Sequence, residues 1–298
     1  MTRILVLGAY GMLGHKLLHV LAESANCDVV ATCRSRRHAA DPFERAFGHL
    51  IVEGVAAQDP VTVERVLKEV RPDVVVNCIG IIKQLKAAKD AITSIEVNSL
   101  FPHRLARLCS SSGARLVHLS TDCVFDGSRG AYVETDNPTP TDLYGRSKLL
   151  GELVELPALT LRTSIIGHEL ARGVSLVDWF LSQSGTVKGF TRAIYTGFPT
   201  IVLAGLIRDL ILRSEPLFGL YQAASTPISK FELLKLVATA YGCIHDIRPS
   251  NDFHCDRSLK ADRLTAATGF CPAPWPELVQ LMQQDYQRCD YYRKERQK

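Results

Sequence analysis

The sequence predicts an α/β protein built on a doubly wound parallel sheet, and three observations carry that prediction. Short apolar runs near 3–7, 28–33, 49–53, 73–78, 115–120 and 159–163 alternate with segments of helical period. The first of these runs enters a turn punctuated by glycines. Beyond residue 167 the texture changes. Residues 1–167 are therefore expected to form the sheet domain and 168–298 a smaller C-terminal α/β region that can exchange segments with it.

Composition narrows the function. A chain of 298 residues, 46% hydrophobic and 22% charged, has ordinary globular composition and room for a full domain and a smaller region. The net charge of +4 is small, and the basic tail YYRKERQK (291–298) reads as a solvated helix end, so no nucleic-acid partner is expected. The nine cysteines (27, 33, 78, 109, 123, 243, 255, 271, 289) contain no CxxC pair. Their odd number argues against a disulfide framework, and within apolar runs a free cysteine behaves as a small hydrophobe. The first fourteen residues read as a strand entering a turn, with no secretion signal. No run approaches the ~18 apolar residues of a membrane span. A reducing cytoplasm is expected, and no catalytic metal.

RILVL (3–7) is read as a strand, Gly8, Gly11 and Gly14 follow at GxxGxxG spacing, and Leu17, Leu18 and Leu21 mark a helix. A tight turn, a closely approachable backbone and a helix N-terminus are what a pyrophosphate requires, so this is read as the dinucleotide site of a Rossmann sheet. After the next strand, DVVATCR (28–34), an NAD-selective site would carry an acid. Here stand Arg34, Ser35, Arg36 and Arg37, groups suited to a 2′-phosphate, which favours NADPH over NADH. VTVERVLKEV (61–70) reads as an amphipathic helix and RPDVVVNCIG (71–80) as a buried strand, with Gly80 letting a cofactor approach. Residues 91–113 read as one long helix, bent at Pro102. Asn98 within it is, by its own chemistry, a solvated or backbone-bonded polar group.

The stretch from Ser120 to Lys148 is the centre of the chain. ARLVHLS (114–120) is a buried strand, whose end is the edge at which open α/β sheets place ligands. Pro138 and Pro140 keep the next segment extended, and Asp142 or Thr141 can cap a helix bearing Tyr144 and Lys148 on one face. The ammonium is expected to lower the phenol's pKa toward the working range. With a hydroxyl at the strand end, such a phenol could protonate an alkoxide as a hydride arrives.

With GAYGMLG, NCIG, VNSLFP, STDCVFDG and YGRSKLLGE in order, followed by LRTSIIG (161–167) and GFPT (197–200), the chain resembles the extended short-chain dehydrogenase/reductase superfamily. Within it, the chain is similar to the dTDP-4-dehydrorhamnose reductase family. The resemblance implies catalytic roles for Thr121, Tyr144 and Lys148. It implies cofactor contacts along Gly8, Tyr10, Gly11, Met12, Leu13 and Gly14, then Arg34, Ser35, Ala57, Cys78, Ile79, Gly80, Asn98 and Ser120, with Tyr144 and Lys148. It implies a sugar pocket of Thr121, Asp122, Cys123, Val124, Phe125, Thr163 and Ser164. The chain departs from that family at Cys123, where an aromatic residue is usual, at the basic loop IIKQLKAAKD (81–90), and at Ala56-Ala57.

In the C-terminal, substrate-binding region, helices are read at 176–183, 227–242 (proline in its first turn) and 275–289, a loop leading into an apolar helix at 197–214, and strand-like runs at 185–190 and 219–225. Lys188, Arg192, Arg248 and Arg257 are read as loop cations for a nucleoside diphosphate, with Arg192 and Arg257 chosen as substrate contacts. Trp179 and Trp275 are read as core. The expected activity is NADPH-dependent reduction of a nucleotide-linked 4-keto-6-deoxy sugar. Its rivals are reduction of a UDP-linked N-acetylated 4-keto sugar, epimerisation, and a non-catalytic NADP-binding regulatory subunit. A homodimer is compatible with the sequence but not specified by it.

Overall fold

The computed structural model describes residues 1–38, 41–82, 90–154, 157–170 and 173–292. The first half alternates as the apolar runs predict: β1 (Thr2–Leu7), α1 (Met12–Ala22), β2 (Cys27–Thr32), α2 (Pro42–Phe47), β3 (Ile51–Val52), α3 (Pro60–Val70) and β4 (Val74–Asn77). α4 (Ala91–Ser94), α5 (Phe101–Ser112), β5 (Arg115–Thr121), α6 (Leu143–Leu150) and β6 (Ala158–Thr163) follow. Helix starts are set by aspartates whose carboxylates accept first-turn N–H groups: Asp41 before α2, Asp59 before α3 and Asp142 before α6.

The second half runs β7 (Ile165–Ile166), α7 (Leu176–Leu181), β8 (Thr186–Tyr195), β9 (Phe198–Pro199), α8 (Thr200–Leu212) and β10 (Gly219–Gln222). It continues with β11 (Ile228–Ser229), α9 (Lys230–Tyr241), β12 (Asp246–Asp256), α10 (Asp262–Thr268) and α11 (Trp275–Arg288).

The central sheet has seven parallel strands in the order β10-β6-β5-β4-β1-β2-β3. Winding reverses between β1 and β4, so a crevice opens beyond their carboxyl ends. Ile4 to Leu7 are wholly buried because alternate residues enter different layers. Ile4 and Val6 pack with Leu17, Leu18 and Leu21 of α1 and with α8, while Leu5 and Leu7 join Val66 of α3 and Leu105 of α5. The outermost strand, β10, comes from the second half of the chain.

Several expectations need correction. The 91–113 helix changes character before Pro102: a π-helical turn, Ile95–Leu100, separates α4 from α5. Pro102 lies in the first turn of α5, where a missing N–H costs little. β12 was not anticipated, because DIRPSNDFHCD carries a proline and few β-branched residues. It pairs with β8 in a second sheet ordered β11-β8-β12. Lys188, Arg192 and Arg248 therefore stand on strands, not loops. Pro227 precedes β11, and α9 begins later under a Ser229 cap. Trp275 is core, but Trp179 is 40% exposed.

The tail also differs from its expected solvated form. Tyr291 and Tyr292 seat against α1, where Lys16 Nζ donates to Tyr291 and to Asp285, and His15 Nε2 meets the Tyr292 hydroxyl at 2.7 Å. His15 and His19 stand four apart on α1, with His19 Nδ1 against the Tyr291 hydroxyl. The rest of the tail, 293–298, and most of the basic loop, 83–89, lie outside the described residues. Among the described residues no cluster of three His, Cys, Asp or Glu side chains is arranged to hold a metal ion, and no helix is long and apolar enough to cross a membrane.

Candidate active site

The turn after β1 shows what its glycines are for. Gly8 has φ +95°, and a Cβ on it would press at 3.2–3.3 Å on Ile79 and Cys78. A Cβ on Gly14 would collide with the Gly8 carbonyl, so α1 can lie this close to the turn only with glycine there. Gly11 is the N-cap of α1 and no side chain caps the helix. Its first-turn N–H groups and the positive end of its dipole are thus left for an anion.

A cavity of about 900 Å³ opens at this point, within the range of small-molecule sites. Gly8, Tyr10, Gly11, Met12 and Leu13 form one wall, Arg34, Ser35 and Arg37 one end, and Ala57 and Cys78 to Ile82 another side. Arg34 has no hydrogen bond or ion pair among the described residues, whereas Arg36 turns away to Glu44, Gly48 O and Ile51 O. Arg37 is half committed, pairing with Asp41. Tyr10 donates to Glu44 in a short hydrogen bond, and burial raises its phenol.

The far end of the cavity is built by β5 and α6. Thr121, Asp122, Cys123, Tyr144, Lys148, Thr163 and Ser164 all line it, as does Ser120. α6 approaches closely because its Gly145 faces the Cys123 carbonyl with no space for a Cβ. Thr121 Oγ1 accepts from Cys123 N and donates to Asp122 Oδ1, each at 3.1 Å. Tyr144 is half-buried, and desolvation raises its pKa, with Cys123 and Asp122 adding to the rise and the Thr121 hydroxyl opposing it. This corrects the expectation that Lys148 brings the phenol down: desolvation wins. Lys148 bears the complementary shift, pushed down to about 8 by burial, and its ammonium donates to Leu119 O at 2.6 Å.

Not every expected residue arrives. Val124 and Phe125 are fully buried in a satellite core, where Phe125 stacks on Tyr132 at 4.1 Å, so they support the wall without lining it. Arg257 is held just behind them, Nε on Phe125 O at 2.8 Å and Nη1 3.3 Å from Cys123 Sγ. Arg192 is exposed on β8 opposite His254 and does not line the cavity. Asn98 does not line it either. Its carboxamide pairs with both backbone groups of Ile81 and donates to Ser147 Oγ at 3.2 Å, tying the wall after β4 to α6. The sequence reading missed Ile82, Thr93, Leu119, Ile165, Glu169 and Leu170 as lining residues. Ile165 could have been found from its place just beyond a central strand, but Glu169 and Leu170 follow a two-residue strand that leaves no periodic signal.

The family model described as "RmlD substrate binding domain" matches residues 1–287. The chain belongs to this family. A dTDP-4-dehydrorhamnose reductase of Mycobacterium tuberculosis is 41% identical to it over 105 residues, 34% of each chain. Methionine adenosyltransferase 2 subunit beta of Rattus norvegicus is 31% identical over 176 residues, 57% of this chain and 48% of that one. The chain thus spans about a third of the first of these relatives and about half of the second. The solved dTDP-4-dehydrorhamnose reductase of Bacillus anthracis, in complex with NADP, superposes with a TM-score of 0.78 at 22% identity, covering 95% of this chain and 99% of that one. At that identity the likeness speaks for the fold, and the RmlD-type chain shares its parallel Rossmann sheet.

Proposed function

We propose that this chain is an NADPH-dependent reductase of a nucleotide-linked 4-keto-6-deoxy sugar, with a dTDP-linked sugar as the first candidate. One observation carries the reading: Thr121, Tyr144 and Lys148 line one end of the same cavity whose other end holds Arg34 and the uncapped start of α1. The glycine-lined cradle fits a pyrophosphate, and Arg34 with Ser35 fits a 2′-phosphate.

NADPH, when bound, supplies the hydride. The chain's residues then have separate tasks. Thr121 Oγ1 and the Tyr144 hydroxyl hold the substrate carbonyl oxygen. Because burial keeps Tyr144 protonated, it can donate its proton to that oxygen as negative charge develops there, and general-acid help of this kind contributes about 10²–10⁴-fold. Lys148 supplies positive charge beside the nicotinamide end. Asn98 fixes the cavity wall against α6. Nine free cysteines fit a reducing cytoplasm as the working compartment.

The test is to offer NADPH with dTDP- and UDP-linked 4-keto sugars side by side and follow coenzyme absorbance. Turnover of the dTDP sugar is expected. Preference for a UDP-linked N-acetylated sugar would move the substrate assignment, and release of oxidised coenzyme with each turnover distinguishes a reductase from an epimerase. The rat relative's name describes a subunit, which keeps a second reading in view: coenzyme binding without turnover of either sugar would favour a regulatory subunit.

A further inference from the structure

Tyr144, Lys148 and Glu152 succeed one another at intervals of four, along α6 and the turn that ends it. Three consecutive residues of β5 meet them. Leu119 O receives the Lys148 ammonium, Ser120 Oγ donates to Glu152 Oε1 at 2.6 Å, and the Thr121 hydroxyl acts against the rise of the Tyr144 pKa. Glu152 is also gripped from β6, where Arg162 stands in register with Ser120 and donates Nε and Nη2 at 2.8 and 2.7 Å. Both side chains of this pair are at most 5% exposed. Replacing such a buried pair by apolar residues is often neutral or stabilising, so stability alone is a weak reason for it. Its incompleteness agrees: Arg162 Nη1 has no hydrogen-bond partner among the described residues.

We propose that Glu152 is a positioning residue: clasped by Ser120 and Arg162, it fixes the register of α6 against β5 that brings Thr121, Tyr144 and Lys148 together. This rests on the reductase reading above. Glu152 makes no direct ion pair with Lys148 among the described residues, yet its charge favours the ammonium against burial. The other titratable groups around that ammonium are Cys78 beyond β4, His118 on β5 and Tyr144 on its own helix, with Arg162 behind Glu152.

The experiment compares Glu152→Gln and Ser120→Ala with the parent chain. Misplacing reacting groups by a fraction of an ångström to an ångström costs up to about 10²-fold, so kcat of Glu152→Gln is expected to fall about ten- to a hundred-fold. NADPH affinity should fall far less, and the alkaline limb of the kcat–pH profile should move to lower pH. A lowered melting temperature with kcat and pH limb unchanged would overturn the proposal. Should Glu152→Gln not fold, Ser120→Ala decides, since it leaves the ion pair whole: reduced kcat with intact coenzyme binding supports the proposal, and parental kcat overturns it. A third readout needs no sugar. The pH dependence of Lys148 acetylation by acetic anhydride, followed by mass spectrometry in the unliganded protein, should shift downward in Glu152→Gln and not in a variant that is merely less stable. A parent chain that reduces no keto sugar would sink the reductase reading, while this labelling still decides the positioning role.

Discussion

The Lys148 ammonium rests on the carbonyl oxygen of Leu119 at 2.6 Å, two residues before the Thr121 hydroxyl. One neutral acceptor does not offset burial, which pushes this lysine down to about 8. A lysine is charged below its pKa, so the charge is present at neutral pH and lost as pH rises through about 8. Turnover at saturating substrate is therefore expected to decline over that interval. In Lys148→Met the limb should disappear and turnover should be lower by about 10²-fold. A flat profile up to pH 10 in the parent chain would contradict this account.

Tyr144→Phe tests the proton donor alone. The ring still fills its place on α6, so NADPH affinity should stay nearly intact. Turnover should fall by about 10²–10⁴-fold, the loss of one general acid. Retained turnover would place the proton on another group.

Much of this site was legible because its chemistry lies where periodicity is strong. Gly8, Gly14 and Tyr144 sit at a strand end or at helix starts that short apolar runs and caps define, and Lys148 follows Tyr144 one turn along the same helix. The less legible parts have physical reasons. Glu152 reads as an ordinary charge after a helix, and only the register of Ser120 with Arg162 shows it is buried. The effect of Lys148 on Tyr144 was misjudged because sequence spacing gives proximity but not desolvation. β12 escaped because its pairing to β8 is long-range and its own composition argues against a strand. Val124 and Phe125 share a motif with Thr121, yet three and four residues beyond the strand end the backbone has already turned them into the core.

We propose that Arg34 carries the coenzyme preference. It lines the cavity and has no partner among the described residues, whereas Arg37 already answers to Asp41. Arg34→Ala should weaken NADPH by about ten-fold or more, since a charge-assisted contact is worth roughly 1.5–3 kcal/mol, while NADH binding changes little. Arg37→Ala should show a smaller difference. Equal losses for both coenzymes, measured by titration of intrinsic fluorescence, would show that Arg34 does not meet a 2′-phosphate.

His118 makes a prediction about acid stability. It lies on β5 wholly buried, Nδ1 3.2 Å from the Asn77 carboxamide nitrogen, and Nε2 has no hydrogen-bond partner among the described residues. Burial, aided by the nearby Lys148 charge, holds its pKa well below the usual 6.5. As pH falls below 6.5 the unfolded chain takes up a proton at this residue and the folded chain does not. The unfolded state is therefore favoured progressively, each unit of separation being worth about 1.4 kcal/mol. His15, pushed down to about 3 by its own burial, acts in the same direction. His118→Gln cannot take up that proton, so between pH 6.5 and about 4.5 its unfolding free energy should fall less steeply than the parent's, without becoming flat because His15 remains. Urea titrations across that interval measure both slopes, and identical slopes would mean that His118 takes up its proton in the folded chain as readily as in the unfolded one.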